Sequence, residues 1–177
     1  MLDGENKIIR RAIQGQSSAF GLLYDHYQPQ IYRFVVLKVS RREEAEDLTH
    51  QAFLNAWQNI GSYQDLGFPF SSWLYHIARN LIIDFYRTQR PQVNLEEVDP
   101  EFAMSVLSTE ELVAKRLEVE RVKAAIQKLK TIYQDIIILR FIEELSIREV
   151  ARVLKRSEGA VKLLQHRAMK QLKELLK

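Results

Sequence analysis

The amino-acid sequence predicts an all-α protein in which two helical domains are joined by an acidic, flexible linker. Glycine and proline are few, at six and four among 177 residues, and apolar residues recur at steps of three and four over long segments. Apolar residues make up 46% of the chain and charged residues 28%, which is enough for packed cores and unlike a disordered protein. Charge is divided unevenly along the chain, and this division indicates where the domains end.

Three segments differ in their charge. Residues 1–90 carry ten basic and nine acidic side chains, residues 91–113 carry six acidic and no basic ones, and residues 114–177 carry sixteen basic and eight acidic ones. We therefore expect domains at 1–90 and 114–177 with an acidic linker at 91–113, about which they move independently. A basic domain behind an acidic tether favours a polyanion-binding module. The alternative is an ordinary solvated surface.

Several classes of chemistry lack the residues that they need. The chain has no cysteine, which excludes disulfides, thiolate zinc sites and a thiol nucleophile. Its four histidines stand singly, and neither a glycine-rich phosphate loop nor a nucleophile with its base is visible. We expect no metal, no cofactor and no enzymatic activity. Because there is no apolar run of about 20 residues and no signal-peptide pattern at the start, we expect a cytoplasmic protein without membrane insertion.

Helices are predicted through most of the amino-terminal domain. The first runs from Lys7 to a break at Gly15, and the second begins after Ser17 or Ser18 as the N-cap. Pro29 is expected in the first turn of a continuation helix, where a missing amide hydrogen costs little. The remaining predicted elements are a helix that opens with acidic residues at 43–47, an aromatic loop at 62–70, and a long helix that Ser71 or Ser72 caps and that ends near Pro91.

The carboxyl-terminal domain is predicted to hold four helices. The first two lie at 112–129 and 132–141. Ser146 and Glu149 then fit a capping box, in which the serine and the glutamate each accept a hydrogen bond from the other's backbone amide. After a short turn, Ser157 caps the last helix.

The two short final helices are typical of a helix-turn-helix whose second helix enters the major groove. Helical spacing places Glu158, Lys162 and His166 on one exposed face, where first-turn side chains would reach base edges and basic side chains would reach phosphates. The alternative is a helical hairpin with a soluble basic surface.

The stretch at 136–151, with its continuation at 157–162 and 166–168, resembles region 4 of the sigma factors of RNA polymerase. The resemblance implies that this domain reads the minus-thirty-five promoter element and rests on the flap of the polymerase beta subunit. The residues that we expect at the minus-thirty-five DNA are Arg148, Ser157, Glu158, Ala160, Lys162, Leu163, His166 and Arg167.

Two amino-terminal stretches, at 45–57 and 70–87, resemble region 2 of the same family, in the extracytoplasmic-function (ECF) group of the sigma-70 family. The first implies docking on the clamp helices of the polymerase beta-prime subunit. Asp47, Gln51 and Asn55 stand four residues apart and form a polar stripe that could meet a partner helix. Taken alone, such a stripe is also what an ordinary solvated helix face presents.

For the second stretch and the aromatic loop before it, the resemblance implies that these residues separate the strands of the minus-ten element and read its bases. Separated strands expose bases that stack on aromatic rings, while arginines hold the backbone, and one base can be captured outside the stack. The residues that we expect at the minus-ten DNA are Tyr63, Phe68, Phe70, His76, Arg79, Asn80, Asp84 and Arg87. Trp73 begins an apolar stripe, so we expect it in the core.

The chain departs from the family pattern at three sites. Lys130 stands where the family often has proline before the penultimate helices. His50 and Gln51 stand where glutamine followed by an acid is common. Leu163, Leu164 and Gln165 replace a common Ser-Arg-Leu run, so Leu164 is expected to turn inward and the family's usual minus-thirty-five sequence need not apply.

The resemblance implies several partners. They are core RNA polymerase, through the beta-prime clamp helices and the beta flap, promoter DNA in double- and single-stranded form, and an anti-sigma factor. The free protein is expected to be a monomer. The rival hypothesis is a helix-turn-helix repressor or activator that does not dock on polymerase, which leaves the amino-terminal motifs unexplained.

Overall fold

The computed structural model describes residues 4–88 and 110–177, with the backbone alone for 110–117. Helices dominate the described residues and no strand occurs among them, so the predicted all-α class is confirmed. The described helices are α1 (Glu5–Ile13), α2 (Ser17–Val36), α3 (Arg42–Asn59), α4 (Phe70–Thr88), α5 (Glu110–Gln127), α6 (Thr131–Ile137), α7 (Ile147–Leu154) and α8 (Glu158–Leu175). A 3₁₀ turn at Ile60–Ser62 follows α3, and a π-helical segment at Ile138–Ile142 follows α6. Most of the predicted linker lies outside the described residues.

Helix α2 is the centre of the amino-terminal bundle and packs against α1, α3 and α4. Leu23, Ile31 and Phe34 of α2 are fully buried, because their spacing gives the helix one apolar face. Helix α4 completes this core with Leu74 and Ile82. Burial of a side chain of this size contributes about 1.5–3 kcal/mol, so the shared apolar face holds the four helices together.

Pro29 lies inside α2 rather than at the start of a new helix, so the expectation of two successive helices here is wrong. A proline in a helix interior removes one backbone hydrogen bond and costs about 3 kcal/mol. Its neighbours Tyr27 and Ile31 are both buried in the core. Packing of one continuous apolar face therefore outweighs the local loss.

The serine caps predicted for α2 and α4 are also wrong. Ser17 is the first residue of α2, and the preceding Gln16 makes no side-chain capping bond. Helix α4 begins at Phe70, which places Ser72 inside the helix, where it is buried. The Phe70 ring packs against Tyr27 at a centroid distance of 5.7 Å, so core packing sets where α4 begins.

The capping predictions for the carboxyl-terminal pair of helices are confirmed. The Ser146 hydroxyl accepts from the Glu149 amide, and the Glu149 carboxylate accepts from the Ser146 amide at 2.6 Å. Ser157 caps α8 by accepting from the Ala160 amide at 3.2 Å. Between α7 and α8 the chain turns at Lys155, whose φ of 51° is left-handed. Helices α7 and α8 therefore form the predicted helix-turn-helix.

The two halves of the chain pack against each other in this structure. Helix α4 lies on α7, and the side-chain amide of Gln127 donates to the carbonyl of Val39 at 3.2 Å. Apolar residues of both halves belong to one connected core. This arrangement differs from the expectation that the domains move independently. Independent motion requires a solvated boundary between the domains, whereas here they share buried contacts.

Candidate nucleic-acid interface

The predicted docking stripe lies along α3. Asp47 and Gln51 are exposed and Asn55 is half-buried. The Gln51 side-chain amide donates to the Asn55 side-chain oxygen at 2.7 Å. On the opposite side of α3, Ala45 and Ala52 are buried against the bundle. The structure thus brings the three residues together on one helix face.

The aromatic loop before α4 is more buried than the sequence suggests. Phe70 is only 1% exposed and packs against Tyr63 and Trp73, with ring centroids 5.1 and 5.4 Å away. Burial raises the pKa of the half-buried Tyr63 to about 12. Phe70 was expected to stack on a base, but in this structure its ring is enclosed by its neighbours. Trp73 is half-buried in the same cluster, as expected.

Phe68 connects the aromatic loop to the helix-turn-helix. The guanidinium groups of Arg148 and Arg152 on α7 lie 5.0 and 5.4 Å from the centre of its ring. Contacts of this kind are worth about 0.5–1 kcal/mol each at exposed sites. Phe68 and Arg148 were expected at the minus-ten and minus-thirty-five DNA respectively. In this structure they contact each other.

Arg79 is half-buried between the two halves of the chain. Its Nε donates to the Asp135 carboxylate of α6 at 2.7 Å. The Lys38 ammonium, in the turn after α2, donates to the other carboxylate oxygen of Asp135. The Lys38 and Asp135 side chains are both fully buried. Burial lowers the pKa of Lys38, and the Asp135 charge opposes that change.

Glu143 forms a second polar cluster across the same boundary. Arg33 of α2 donates two hydrogen bonds to the Glu143 carboxylate, at 2.6 and 2.8 Å. The Tyr75 hydroxyl of α4 donates to the same carboxylate at 2.7 Å. The Glu143 side chain is 2% exposed. Burial, followed by the charge of Glu143, raises the pKa of Tyr75.

His76 faces α7. Its Nδ1 lies 2.9 Å from the carbonyl oxygen of Val153 and therefore carries the proton in the neutral ring. Asn80 lies 3.2 Å from the other ring nitrogen. Burial lowers the pKa of His76, and the charges of Lys155 and Arg79 lower it further.

The other predicted minus-ten residues are accessible. Asn80, Asp84 and Arg87 are exposed along α4. Arg87 and Asp84 form an ion pair of 3.1 Å on the helix surface. Such a pair is worth at most about 1 kcal/mol, so both side chains remain available to a ligand.

Helix α8 presents the predicted minus-thirty-five residues to solvent. Glu158, Lys162 and His166 are all exposed, as the helical spacing predicts. Leu163 is 51% exposed. Leu164 is half-buried against the core, as expected from its position. The remaining predicted residues of this surface, Ser157 and Arg167, are exposed, and Ala160 is half-buried.

Two family models match the chain in consecutive order. Residues 23–92 match Sigma-70 region 2, and residues 120–172 match Sigma-70, region 4. The chain is 37% identical over 171 residues to the ECF RNA polymerase sigma factor BldN of Streptomyces coelicolor, covering 96% of this chain and 65% of BldN. It is 33% identical over 181 residues to the ECF RNA polymerase sigma factor SigW of Bacillus subtilis, covering 97% of this chain and 96% of SigW.

The chain belongs to the ECF group of the sigma-70 family. As a sigma factor, it acts in promoter-directed transcription initiation with RNA polymerase. Its relatives are sigma factors, which are not enzymes. Among the described residues, each helix is either too short or too polar to span a bilayer.

Two solved structures share the fold. CnrH, solved in complex with the cytosolic domain of CnrY, is 27% identical with a TM-score of 0.74, covering 97% of this chain and 96% of that chain. The sigma factor RpoE from Bartonella quintana, solved with the anti-sigma factor NepR, shares the fold at 22% identity and a TM-score of 0.71, covering 89% of this chain and 96% of that chain.

The sequence reasoning missed the residues that join the two halves of this sigma factor. Lys38 and Asp135 each stand in a run of apolar residues. A charge in such a run signals a buried partner, because an unpaired buried charge is costly. The sequence therefore indicated that Lys38 and Asp135 each have a buried partner. It did not show that they pair with each other, because they stand 97 positions apart.

A large apolar groove lies between the first bundle and α5. Its volume is about 1110 Å³. The residues that line it include Tyr32 of α2, Leu37 directly after α2, His50 of α3, and Val122 and Ile126 of α5. This size and apolar character suit a protein segment that presents hydrophobic side chains.

Proposed function

We propose that this sigma factor divides promoter recognition between its two domains. Residues 1–90 bind core polymerase and open and read the minus-ten element, residues 114–177 read the minus-thirty-five element, and residues 91–113 tether them. The observation that carries the proposal is the presence of regions 2 and 4 on one chain, in order, with an exposed polar stripe on α3 and an exposed basic α8.

Core polymerase is the proposed partner of the α3 stripe. Asp47 and Gln51 are exposed, and the half-buried Asn55 lies on the same face of α3. A helix of the beta-prime clamp can therefore lie along this face of α3 and exchange hydrogen bonds with it. His50 is exposed beside them. The beta flap is the proposed partner of the carboxyl-terminal domain.

The minus-ten site is proposed on α4 and on the loop before it. Phe68 and Tyr63 supply aromatic faces, while Arg79 and Arg87 supply positive charge for the backbone of a separated strand. His76, Asn80 and Asp84 supply the remaining polar contacts. Phe70 has a positioning role in this proposal, since its buried ring supports Tyr63 and Trp73.

The minus-thirty-five site is proposed on α8 and on Arg148 of α7. Glu158 and Ala160 lie in the first turn, where side chains approach base edges. Lys162, His166 and Arg167 carry donors for phosphates or bases, and Leu163 offers an apolar contact to a thymine methyl group.

An anti-sigma factor is the proposed regulator of this chain. The exposed surface of the groove between the amino-terminal bundle and α5 is mostly apolar, with charged side chains such as Glu46 and Lys123 in its lining, and the groove borders the α3 docking face at His50. A helical segment in that groove would hinder polymerase binding. In this proposal the protein is a cytoplasmic monomer when free and catalyses no reaction of its own.

Transcription in vitro with purified core polymerase tests the proposed function. The chain should convert core enzyme, which does not select promoters, into one that starts at defined sites on genomic fragments of the source bacterium. A conventional repressor or activator would yield no promoter-dependent starts with core enzyme alone. That outcome would overturn the proposal.

A further inference from the structure

Glu5 is an acid in the interior of the amino-terminal bundle. It is the first residue of α1 and is only 9% exposed. Its carboxylate accepts a hydrogen bond from the hydroxyl of Tyr27, a buried residue of α2. Burial, followed by the hydrogen bond to Glu5, raises the pKa of Tyr27. The Tyr27 hydroxyl therefore stays protonated and remains a donor at physiological pH.

The hydrogen bond to Tyr27 is needed to keep Glu5 buried. A buried carboxylate is costly unless it is paired or hydrogen-bonded. An acid in the first turn of a helix is favourable because of the helix dipole, but an exposed glutamate would satisfy that preference equally. The position of Glu5 therefore depends on the Tyr27 hydroxyl, and the hydrogen bond fixes the two side chains relative to each other.

The ring of Tyr27 supports the aromatic loop from behind. It packs against Phe70 at a centroid distance of 5.7 Å. Phe70 contacts Tyr63 at 5.1 Å and Trp73 at 5.4 Å, and these two rings lie 5.2 Å from each other. Tyr63, Phe70 and Trp73 thus form one aromatic cluster, with separations that are favourable for aromatic pairs. Tyr27 connects this cluster to Glu5.

Helix α1 also contacts the chain directly before the aromatic cluster. It packs against the 3₁₀ turn at Ile60–Ser62, in which Ile60 is buried. The Tyr63 amide donates to the Ile60 carbonyl at 3.0 Å. The charge of Glu5 contributes, after burial and Asp65, to the raised pKa of Tyr63. Helix α1 therefore acts on Tyr63 by two routes, through the turn before it and through the rings behind it.

We propose that Glu5 is a positioning residue for reading of the minus-ten element, acting through Tyr27 and Phe70 to hold the Tyr63 ring ready to stack on a base. Glu5 does not itself touch DNA. This inference rests on the proposed function of the loop before α4. It gives a role to α1, which lies before the match to Sigma-70 region 2 at residues 23–92. A ring that is already ordered loses less conformational freedom when a base binds.

Three variants separate the hydrogen bond from general packing of α1. Glu5→Ala removes the acceptor and leaves the Tyr27 hydroxyl buried without its partner. Glu5→Gln keeps an oxygen that can accept from Tyr27 and should therefore behave as the parent chain does. The control is Ile9→Val, which shortens another buried side chain of α1 and leaves the hydrogen bond intact. Circular dichroism checks that each chain is folded.

The fluorescence of Trp73 measures the order of the aromatic cluster without polymerase or DNA. Trp57 and Trp73 are the two tryptophans of the chain, so Trp57→Phe in every variant leaves Trp73 as the reporter. Glu5→Ala should increase the quenching of Trp73 by acrylamide and shift its emission to the red. Glu5→Gln and Ile9→Val should leave both unchanged. Parent values in a folded Glu5→Ala chain would overturn the inference.

Binding of a single strand by the reconstituted holoenzyme measures the effect on reading. The probe is a fluorescein-labelled strand with the minus-ten element of a promoter at which the parent chain starts transcription. Glu5→Ala should weaken binding about tenfold, near the low end of the effect of losing one stacked base. Its affinity for core enzyme should be unchanged. Glu5→Gln and Ile9→Val should bind the strand as the parent chain does.

Two results of the strand measurement would overturn the inference. One is equal strand affinity in Glu5→Ala and Ile9→Val. The other is an equal loss in Glu5→Ala and Glu5→Gln, since the hydrogen bond would then not be the cause. These outcomes are separable from the proposed function. A parent chain that starts at no promoter would refute that function, whereas a chain that starts at promoters with Trp73 unaffected by Glu5→Ala keeps its function and loses the positioning role.

Discussion

His76 is the titratable residue whose surroundings best predict how the domain interface responds to pH. Burial on α4, with Lys155, Arg79 and Arg152 nearby, lowers its pKa below the ordinary value of 6.5. The packed state therefore favours the neutral ring, which donates to the Val153 carbonyl. The stability that neutral His76 contributes to the packed state is complete at pH values above the ordinary pKa of histidine. It is lost as the pH falls through the lowered pKa of His76.

Acidification should therefore open the domain interface. Dyes placed on Ser18→Cys of α2 and Lys173→Cys of α8, both at exposed positions of a chain without native cysteine, report the separation of the two halves. Between about pH 7 and pH 5, energy transfer between them should fall, with a midpoint below 6.5. In a His76→Gln chain the same fall should be absent or much smaller. A profile that is identical in the two chains would show that another group controls the response.

The exposed face of α3 is the element on which polymerase docking depends. Asp47→Arg with Gln51→Arg should reduce the affinity for core polymerase at least about tenfold, because two large cations replace the groups that meet the partner and a charge buried in an interface without its own partner is costly. Both positions are exposed, so folding should be retained. Affinity is measured by titrating labelled chain with core enzyme.

The control for this docking test adds the same charge elsewhere. Asp25→Arg with Gln14→Arg changes an exposed residue of α2 and the exposed residue directly after α1, and it changes the net charge by an equal amount. It should bind core enzyme as the parent chain does. Equal weakening in both variants would point to a general charge effect and would contradict the α3 assignment.

Helix α8 combines positions that read sequence with positions that hold the backbone, and the two should respond differently to substitution. Arg167→Ala should weaken binding to all duplexes alike and reduce the salt slope by about one unit. Lys173→Ala, near the far end of α8, should leave the slope unchanged. Glu158→Ala should instead change the motif recovered from randomised promoters, because its side chain lies in the first turn.

For α8, selection from randomised promoters with the holoenzyme is the deciding measurement. Recovery of the parent motif by the Glu158→Ala chain, with only affinity altered, would mean that this turn does not read sequence. An unchanged salt slope in the Arg167→Ala chain would show that Arg167 does not contact a phosphate.

The whole molecule should unfold as one cooperative unit, because buried polar pairs and a connected core join its halves. Both tryptophans, Trp57 and Trp73, lie in the amino-terminal half, so their fluorescence reports that half, whereas circular dichroism reports all helices. The two urea transitions should coincide in the parent chain. In Asp135→Asn they should separate, as the link between the halves weakens. Transitions that already differ in the parent chain would contradict a stable interface.

Several features of this protein followed from the sequence alone. The apolar spacing predicted helices, the Ser146 and Glu149 pair predicted the start of α7, and Ser157 predicted the start of α8. These features are readable because a helix cap or an apolar face depends on residues within one or two turns of each other. The motifs of regions 2 and 4 are local in the same sense, and they were sufficient to indicate the family.

Tertiary structure alone decided which surfaces remain open. Phe70 has the residue type of a stacking platform, yet its ring fits into the core, and Pro29 has the type of a helix start, yet core packing keeps α2 continuous. Arg79 and Asp135 stand 56 positions apart, and no local pattern connects them. Periodicity tells which face of a helix is buried but not what buries it, because that depends on the free energy of packing between segments distant in the chain.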